Sequence, residues 1–317
     1  MLTRFIKVER NAAALILLAA LAGLLVANLG GFDIATNFAD HFGLDSDART
    51  ILISPFFLLV GIELRREFAG SPSLARALAV PALAAIFGVV VPAALFIAIT
   101  WGSALPLAAS LTPVATDITF SLAVFSLIGR SMPKGSRTFL LSFAVIDDLI
   151  AIALISALLA SQANPLSLLS VAAVIAGLAT SPKLGAKIES PLHTLVAFAI
   201  LPAFAFLTLA IKLDTTAAAM VFTTALGLGV LARVVGKIIG ISFGAWLGAK
   251  LAKPANPLPT SDYLRLSTLG GIGFTVAFMI ANIAFAADPQ QLQIATLATL
   301  FAAVLATGLA ALALRKR

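Results

Sequence analysis

The sequence contains no cysteine, and only 11% of its 317 residues are charged. The absence of cysteine excludes disulfides, thiolate metal sites and a cysteine nucleophile. The low charge excludes an ordinary soluble domain, in which about 25% of the residues are charged. The sequence also has no Gly-x-x-x-x-Gly-Lys phosphate loop, which an ATP-driven pump needs, and no Gly-x-Gly-Asp motif, which an intramembrane aspartyl protease needs.

What the sequence has in abundance is apolar residues, which make up 61% of the chain. They form runs along the whole length, many of them as long as the roughly 20 helical residues that cross a bilayer. We therefore predict an all-α, polytopic membrane protein. The ten predicted spans are 12–29, 50–64, 74–100, 104–129, 137–160, 165–180, 190–211, 220–249, 263–285 and 290–313.

The lysines and arginines are distributed very unevenly around these spans. If the ten spans alternate in direction, nearly all of the 21 basic residues fall on the side that carries both termini. The other side has only Arg49 and Lys212, whereas Arg233 and Lys237 lie within a span. Because basic residues accumulate in cytoplasmic loops, both termini are predicted to be cytoplasmic. The net charge of +7 thus reflects the membrane topology. We expect the protein to contact membrane lipid and to have no nucleic-acid partner.

Charged residues also occur inside the predicted spans. They are three acids and two bases: Asp117, Asp147, Asp148, Arg233 and Lys237. Intramembrane charges usually mark functional sites, although a structural ion pair between helices is the alternative. The excess of acid leaves one negative charge, which would attract a proton or a cation.

The stretch "FAVIDDLIAI", residues 143–152, places Asp147 beside Asp148 in an otherwise apolar run. On a helix the two side chains point about 100° apart, so one can face a lysine while the other faces a cavity. Their repulsion and burial favour protonation of one of them. The pair therefore predicts a site for which protons and a cation compete.

Two of the predicted spans contain helix-breaking residues. Pro113 in "SLTPVATDITF", residues 110–120, interrupts the fourth span beside Thr116 and Asp117, whose oxygens could bind a small cation. The ninth span has "STLGGIGFTVAF", residues 267–278. Its three glycines are Gly270, Gly271 and Gly273. We expect the unwound chain of both helices to lie near the middle of the membrane.

The broken spans occupy matching positions in two groups of three. Spans three to five and eight to ten would run in opposite directions, and the middle span of each group is the broken one. This is the inverted-repeat arrangement of many secondary transporters, with the substrate near the midplane. The predicted division is interface helices at 1–64, a core repeat at 74–160, shortened interface helices at 165–211 and a second core repeat at 220–313.

With these motifs identified, the chain resembles the NhaA family of bacterial sodium/proton antiporters. The resemblance rests on five stretches that span most of the chain. They are "FFLLVGIELRREF" (56–68), "TPVATDITFSL" (112–122), "FAVIDDLIAI" (143–152), "GKIIGIS" (236–242) and "GGIGFTVAFMIANIAF" (270–285).

The resemblance implies a role for each of these residues. Asp148 would be the principal ligand for sodium and protons, and Asp147 would pair with Lys237 when the ion is absent. Thr116 and Asp117 would balance the half-helix ends at the crossing. The residues that would take part in pH activation are Glu63, Arg65, Arg66, Glu67, Glu189 and His193.

The resemblance also implies what the protein does and where. It would be a transporter and no enzyme, without a cofactor, exchanging cytoplasmic Na⁺ or Li⁺ for external H⁺. The exchange would be electrogenic and regulated by pH. The protein would lie in the bacterial inner membrane, with a homodimer as a possible assembly, although the first outer loop is shorter than the family's dimerising hairpin.

The chain departs from the family in several respects. It has ten predicted spans where the family has twelve, and the missing residues fall at about 175–190. Arg233 is an additional buried cation, and Ile238 replaces the proline that usually follows the lysine. Two alternatives stay open: a transporter of the same fold for another substrate, such as potassium or an organic anion with sodium, and a shortened member without turnover.

Overall fold

The computed structural model of this chain describes residues 2–29, 46–68, 74–158, 167–210, 212–213, 215–254, 256–285 and 287–315. Throughout these ranges the regular structure is helical and contains no strand, which confirms the predicted all-α class. The α-helices are α1 (Leu2–Asn28), α2 (Ser46–Phe68), α3 (Leu74–Ile99), α4 (Ile118–Ile128), α5 (Gly135–Leu158), α6 (Ser167–Ala179), α7 (Pro182–Leu195), α8 (Leu201–Leu209), α9 (Thr215–Val221), α10 (Ala225–Leu231), α11 (Arg233–Ala252), α12 (Thr260–Ser267), α13 (Thr275–Ala284) and α14 (Pro289–Leu314).

Short segments of other helix types connect some of these helices. Three are 3₁₀-helical and one, between α7 and α8, is a π-helix. They are Leu107–Leu111, Gly129–Ser131 and Thr268–Gly271 for the 3₁₀ type and Val196–Ile200 for the π type. Within the described ranges, five helical stretches are long and apolar enough to cross a membrane. They are Asn11–Asn28, Leu78–Ile99, Pro182–Leu207, Ala225–Ala252 and Pro289–Leu314.

The chain divides into two compact units. The first comprises Met1–Ser71 and Asn164–Leu213, and the second comprises Pro72–Ala163 and Asp214–Arg317. Each unit is therefore built from two separate parts of the chain. The assignment of these parts to interface helices and to two core repeats stays a prediction.

The first unit is held together by close contacts between helix backbones. A Cβ atom placed on Gly61 of α2 would lie 2.9 Å from the Cα of Gly177 in α6. A Cβ on Gly177 would in turn lie 2.8 Å from the Cα of Gly61. Small residues allow membrane helices to approach this closely, where dispersion and backbone contacts stabilise the pair.

The second unit uses the same device between α3 and α11. Four glycines spaced four residues apart form one face of α11 and lie directly on the backbone of α3, so that any side chain there would overlap with it. They are Gly236, Gly240, Gly244 and Gly248. Because residues at this spacing share one helix face, the contact fixes both the distance and the rotation of α11. Lys237 follows the first of these glycines, so the contact also fixes where this side chain points.

Two predicted span boundaries were wrong. The seventh span was predicted at 190–211, but its helix begins at Pro182, after Ser181 accepts a hydrogen bond from the Leu184 amide. Hydropathy detects the apolar part of a helix and misses a polar first half that begins with a good cap. The eighth span, predicted over 220–249, begins later than expected: α9 ends at Val221, and the hydroxyl of Thr224 caps a new helical stretch, Ala225–Ala252, which contains α10 and α11.

Candidate functional site

Two interrupted helices of the second unit form the framework of the site. After the 3₁₀ segment Leu107–Leu111, the chain turns at Pro113 and continues without helix up to Asp117, where α4 begins. After Thr268–Gly271, the chain is again non-helical until α13 begins. We call these two non-helical stretches, residues 112–117 and 272–274, the first and second links. Both interruptions fall in the stretches where proline and glycine predicted them.

The two broken helices satisfy each other's polar groups at and beside their links. The Asp117 amide donates to the Ile272 carbonyl at 2.8 Å, and the Thr116 hydroxyl donates to the Gly270 carbonyl at 2.9 Å. One turn into α4, Ser121 donates to the Leu269 carbonyl at 2.9 Å. Unwound chain in an apolar environment needs such partners, because each unsatisfied group there costs several kcal/mol. The two broken helices therefore meet at their interruptions.

Asp147 and Lys237 form a buried ion pair beside these links. The Lys237 ammonium lies 2.8 Å from each oxygen of the Asp147 carboxylate, and neither side chain is exposed. The Thr116 amide also donates to Asp147, at 3.1 Å. Asp147 on α5 thus joins the first link to α11.

Asp148 has a different environment from its neighbour. Its side chain is buried, and its Oδ1 atom has no hydrogen-bond partner among the residues that the structure describes. A buried carboxylate oxygen without a donor is costly unless a proton or a cation neutralises it. Of the two adjacent aspartates, Asp148 is therefore the one with a buried carboxylate oxygen that no donor among the described residues contacts.

Asp117 and Arg233 contact the two interruptions in different ways. Asp117 caps α4, since its carboxylate accepts a hydrogen bond from the Phe120 amide at 3.2 Å. Arg233 is completely buried, and its guanidinium donates to the carbonyls of Ala115 and Gly273. The first carbonyl belongs to the first link and the second to the second link. Arg233 thus contacts both broken helices through main-chain oxygens.

The chemistry of this site suits a small, hard cation. Its available groups are aspartate carboxylates, the Thr116 hydroxyl and main-chain carbonyls, and oxygen atoms of this kind coordinate Na⁺ in transporters with unwound helices. Among the described residues, no three His, Cys, Asp or Glu side chains are grouped as a metal site.

The predicted pH-sensing residues lie in the first unit. Arg66 of α2 forms an ion pair with Glu189 of α7, while Arg65 donates to the Leu178 carbonyl at 2.9 Å. Glu63 is buried in α2, and His193 is half-buried in the last turn of α7. The side chain of Glu67 lies outside the described residues. The structure thus brings together Arg66 and Glu189 from parts of the chain that are far apart in sequence.

Sequence reasoning missed two polar residues of the second unit. Ser121 joins α4 to the carbonyl of Leu269, and its position one turn after Asp117 on the same helix face was the available signal. Asp262 is completely buried in α12 and pairs with Arg265 at 3.3 Å. Its surroundings, "PTSDYLR", have the composition of a polar loop, so nothing in the sequence indicated its burial.

Comparison with known proteins gives a consistent result along the chain. The family described as Na⁺/H⁺ antiporter 1 matches residues 3–187 and 171–314. The two matched ranges overlap at residues 171–187, within the region where the sequence analysis predicts that additional helices of the family are missing. Together they cover almost the whole chain.

Individual relatives match over similar lengths. The chain is 35% identical to Na(+)/H(+) antiporter NhaA 2 of Clavibacter michiganensis subsp. michiganensis, over 100% of this chain and 92% of the relative. It is 31% identical to Na(+)/H(+) antiporter NhaA 3 of Streptomyces coelicolor, over 98% of this chain and 79% of the relative. It is also 33% identical to Na(+)/H(+) antiporter NhaA of Enterobacter sp., over 80% of this chain and 78% of the relative.

The Clavibacter alignment extends over 383 positions, more than the 317 residues of this chain, so that relative has residues that this chain lacks. The buried aspartates, the paired lysine and the two broken helices are nevertheless all present here. The matches cover the stretches that contain these residues as well as the rest of the chain. The chain therefore belongs to the Na⁺/H⁺ antiporter 1 family, whose members are multi-pass membrane transporters rather than enzymes.

Proposed function

We propose that this chain exchanges Na⁺ or Li⁺ for protons across a membrane, with Asp148 as the residue that binds either ion. The observation that supports this most directly is the buried Oδ1 of Asp148, which has no donor among the described residues, whereas the adjacent Asp147 accepts three hydrogen bonds from two donors, the Thr116 amide and the Lys237 ammonium. Family membership supports the same exchange, since the relatives carry that activity in their names.

In the proposed cycle, protons and the cation compete for the same carboxylates. With the site open to one side, Asp148 loses its proton and binds the cation, assisted by the Thr116 hydroxyl. Lys237 holds Asp147 in place while the cation is absent and releases it when the cation arrives. With the site open to the other side, the cation leaves and the carboxylates take up protons again.

We propose that this exchange is electrogenic. If two protons leave the site for each sodium ion that enters, one net charge crosses the membrane in each cycle. Each such charge couples to about 2.3 kcal/mol per 100 mV of membrane potential. Arg233 does not change this number of exchanged protons, because its guanidinium donates to two main-chain carbonyls, while Asp147 pairs with Lys237.

The wider arrangement follows the same proposal. The second unit would contain the two oppositely directed repeats, 74–160 and 220–313, and the first unit would supply the interface helices. Both termini would be cytoplasmic, in the bacterial inner membrane, as the excess of lysine and arginine in alternate connections supports. The Arg66–Glu189 pair, with Glu63 and His193, would adjust activity to the cytoplasmic pH.

The test is ion flux through the purified protein in proteoliposomes. We expect sodium and lithium to drive proton movement and potassium to give little response. An Asp148→Asn variant should lose exchange, because an amide of the same size cannot bind first a proton and then a cation. The matched control is Asp288→Asn, which makes the same chemical change at the cap of α14, where asparagine caps as well as aspartate.

The result separates this function from its alternatives. Equal responses to potassium and sodium would contradict the proposed selectivity, and full exchange in Asp148→Asn would contradict the proposed site. Sodium flux that ignores an imposed membrane potential would show one-for-one exchange and would remove the electrogenic part alone. Folding of each variant is checked by its thermal unfolding in detergent.

A further inference from the structure

The exchange proposed above assigns neither a proton nor the cation to Arg233, yet this residue is among the largest completely buried side chains of the described residues. Burying a guanidinium is expensive, and an apolar residue of similar volume is often more stable at such a position. Here the Nε atom also lacks a hydrogen-bond partner among the described residues. The burial of this charge therefore needs an explanation other than stability.

The two partners of the guanidinium supply that explanation. Nη2 donates to the Ala115 carbonyl, and Nη1 donates to the Gly273 carbonyl at 3.2 Å. Both carbonyls lie in the links, where the helix is interrupted and no helical amide can reach them. One planar group with donors in a fixed fork can contact both oxygens at once, which the single ammonium of a lysine does less well.

Gly273 gives a second, independent observation. A Cβ atom placed on this glycine would overlap with the Arg233 guanidinium and with the Ala115 carbonyl oxygen. The second link therefore has no side chain at the one position where the guanidinium passes. The missing side chain of Gly273 thus leaves the space that the Arg233 guanidinium occupies.

We propose that Arg233 is a positioning residue, whose fixed positive charge joins the first and second links and so places Thr116 and Asp147 correctly for the transported cation. This inference rests on the proposed function, because it concerns the same cation site. The connection is short: Ala115 immediately precedes Thr116, whose amide contacts Asp147 and whose hydroxyl contacts Gly270. An arginine effectively never loses its proton, so this charge stays the same through the whole cycle.

The test compares Arg233→Lys, Arg233→Gln and Arg233→Met in proteoliposomes, with apparent KM for sodium and maximal rate measured separately. Loss of a charged hydrogen bond typically corresponds to about tenfold or more in affinity. We expect Arg233→Gln and Arg233→Met to raise KM by at least about tenfold, with a smaller fall in maximal rate. Arg233→Lys, which keeps the charge, should recover most of the loss.

Arg265→Gln is the matched control, since Arg265 lies in α12, pairs with Asp262 and has no hydrogen bond to either link among the described residues. It should leave KM unchanged. Gly273→Ala should raise KM as Arg233→Gln does, because the added methyl group displaces the guanidinium. Thermal unfolding should show that Arg233→Met is folded and at least nearly as stable as the wild type.

Two outcomes would overturn the proposal while the wild type exchanges sodium normally. One is an unchanged KM in Arg233→Gln, and the other is a Gln variant as active as the Lys variant, which would mean that the charge is not needed. If instead the wild type fails to exchange sodium, the proposed function fails. Sodium-induced thermal stabilisation of the purified variants requires no turnover and then tests Arg233 alone. If sodium does not stabilise the Arg233→Lys variant more than the Arg233→Gln variant, the proposed role of Arg233 is overturned.

Discussion

The two compact units use charged side chains in opposite surroundings. In the second unit, Lys237 and Asp147 are completely buried, and their atoms are held in one geometry by several donors. In the first unit, the Arg66 side chain of the Arg66–Glu189 pair is 58% exposed. Water weakens an ion pair and competes for its partners. The exposed Arg66–Glu189 pair of the first unit is therefore loose, whereas the buried Lys237–Asp147 pair of the second unit is rigid. A rigid, buried pair suits a site that must position an ion, and an exposed pair suits a surface that responds to its surroundings.

The largest effect on stability is expected from breaking the buried pair on one side only. Lys237→Met leaves Asp147 as a buried charge without its cation, which costs about 3–5 kcal/mol of unfolding free energy. The measurement is denaturant-induced unfolding in detergent.

The control for this experiment is the double variant Lys237→Met, Asp147→Asn, which removes both charges. It should regain most of the lost stability, although it cannot exchange ions normally. A double variant as unstable as the single one would mean that packing around Lys237, and not its charge, determines stability here.

A smaller effect should be shared by both units, because both pack helices through glycine. Gly240→Ala would place a Cβ against the Phe87 carbonyl oxygen, and Gly61→Ala would do the same against that of Val174. Overpacking of this kind costs about 1–3 kcal/mol. Gly308→Ala in α14 is the control, since nothing lies within 4 Å of its added methyl group. It should be neutral or stabilising, and equal losses in all three variants would show that the glycine contacts are unimportant.

The third expected effect concerns the affinity for sodium as a function of pH. In the proposed exchange a proton must leave the carboxylate site before the cation binds, so apparent KM is expected to rise as the pH falls. One displaced proton corresponds to about tenfold in KM for each pH unit, and two give a steeper change. Sodium-dependent flux measured from about pH 6 to about pH 9 tests this dependence on ligand deprotonation. A KM that is constant over this range would exclude competition at the carboxylates.

The smallest effect is expected at the exposed pair of the first unit. Arg66→Gln should change the unfolding free energy by less than about 1 kcal/mol, because exposed ion pairs contribute little. The maximal exchange rate should stay the same, while the pH at which activity begins should shift. Glu189→Gln should give a similar shift, since it removes the other half of the same pair. An unchanged pH profile in both variants would remove this pair from regulation.

Much of the architecture could be predicted because each feature has a local cause. Proline removes an amide donor, so the interruption at Pro113 follows from the sequence, and the run of glycines in 270–273 marks the second one. The pairing of Asp147 with Lys237 was suggested by the resemblance to a known family, and the structure forms this contact. The roles of these residues in transport stay predictions.

Other features depend on contacts between distant parts of the chain and could not be predicted. The partners of Arg233 are main-chain carbonyls, which every residue possesses, so no side-chain pattern identifies them. The start of α7 at Pro182 was missed because its first turns are polar. Asp262 looked like part of an exposed loop, and only the packing of α12 makes it a buried residue.

The hydrogen bonds between the two broken helices have a mechanical consequence. The Asp117 amide, the Thr116 hydroxyl and the Ser121 hydroxyl all donate to carbonyls of the other broken helix. Sliding one helix past the other would break all three bonds at once, with no water in a bilayer core to replace them. The two broken helices are therefore expected to move together as one rigid unit at their crossing. Alternating access would then come from tilting both helices together and not from separating them.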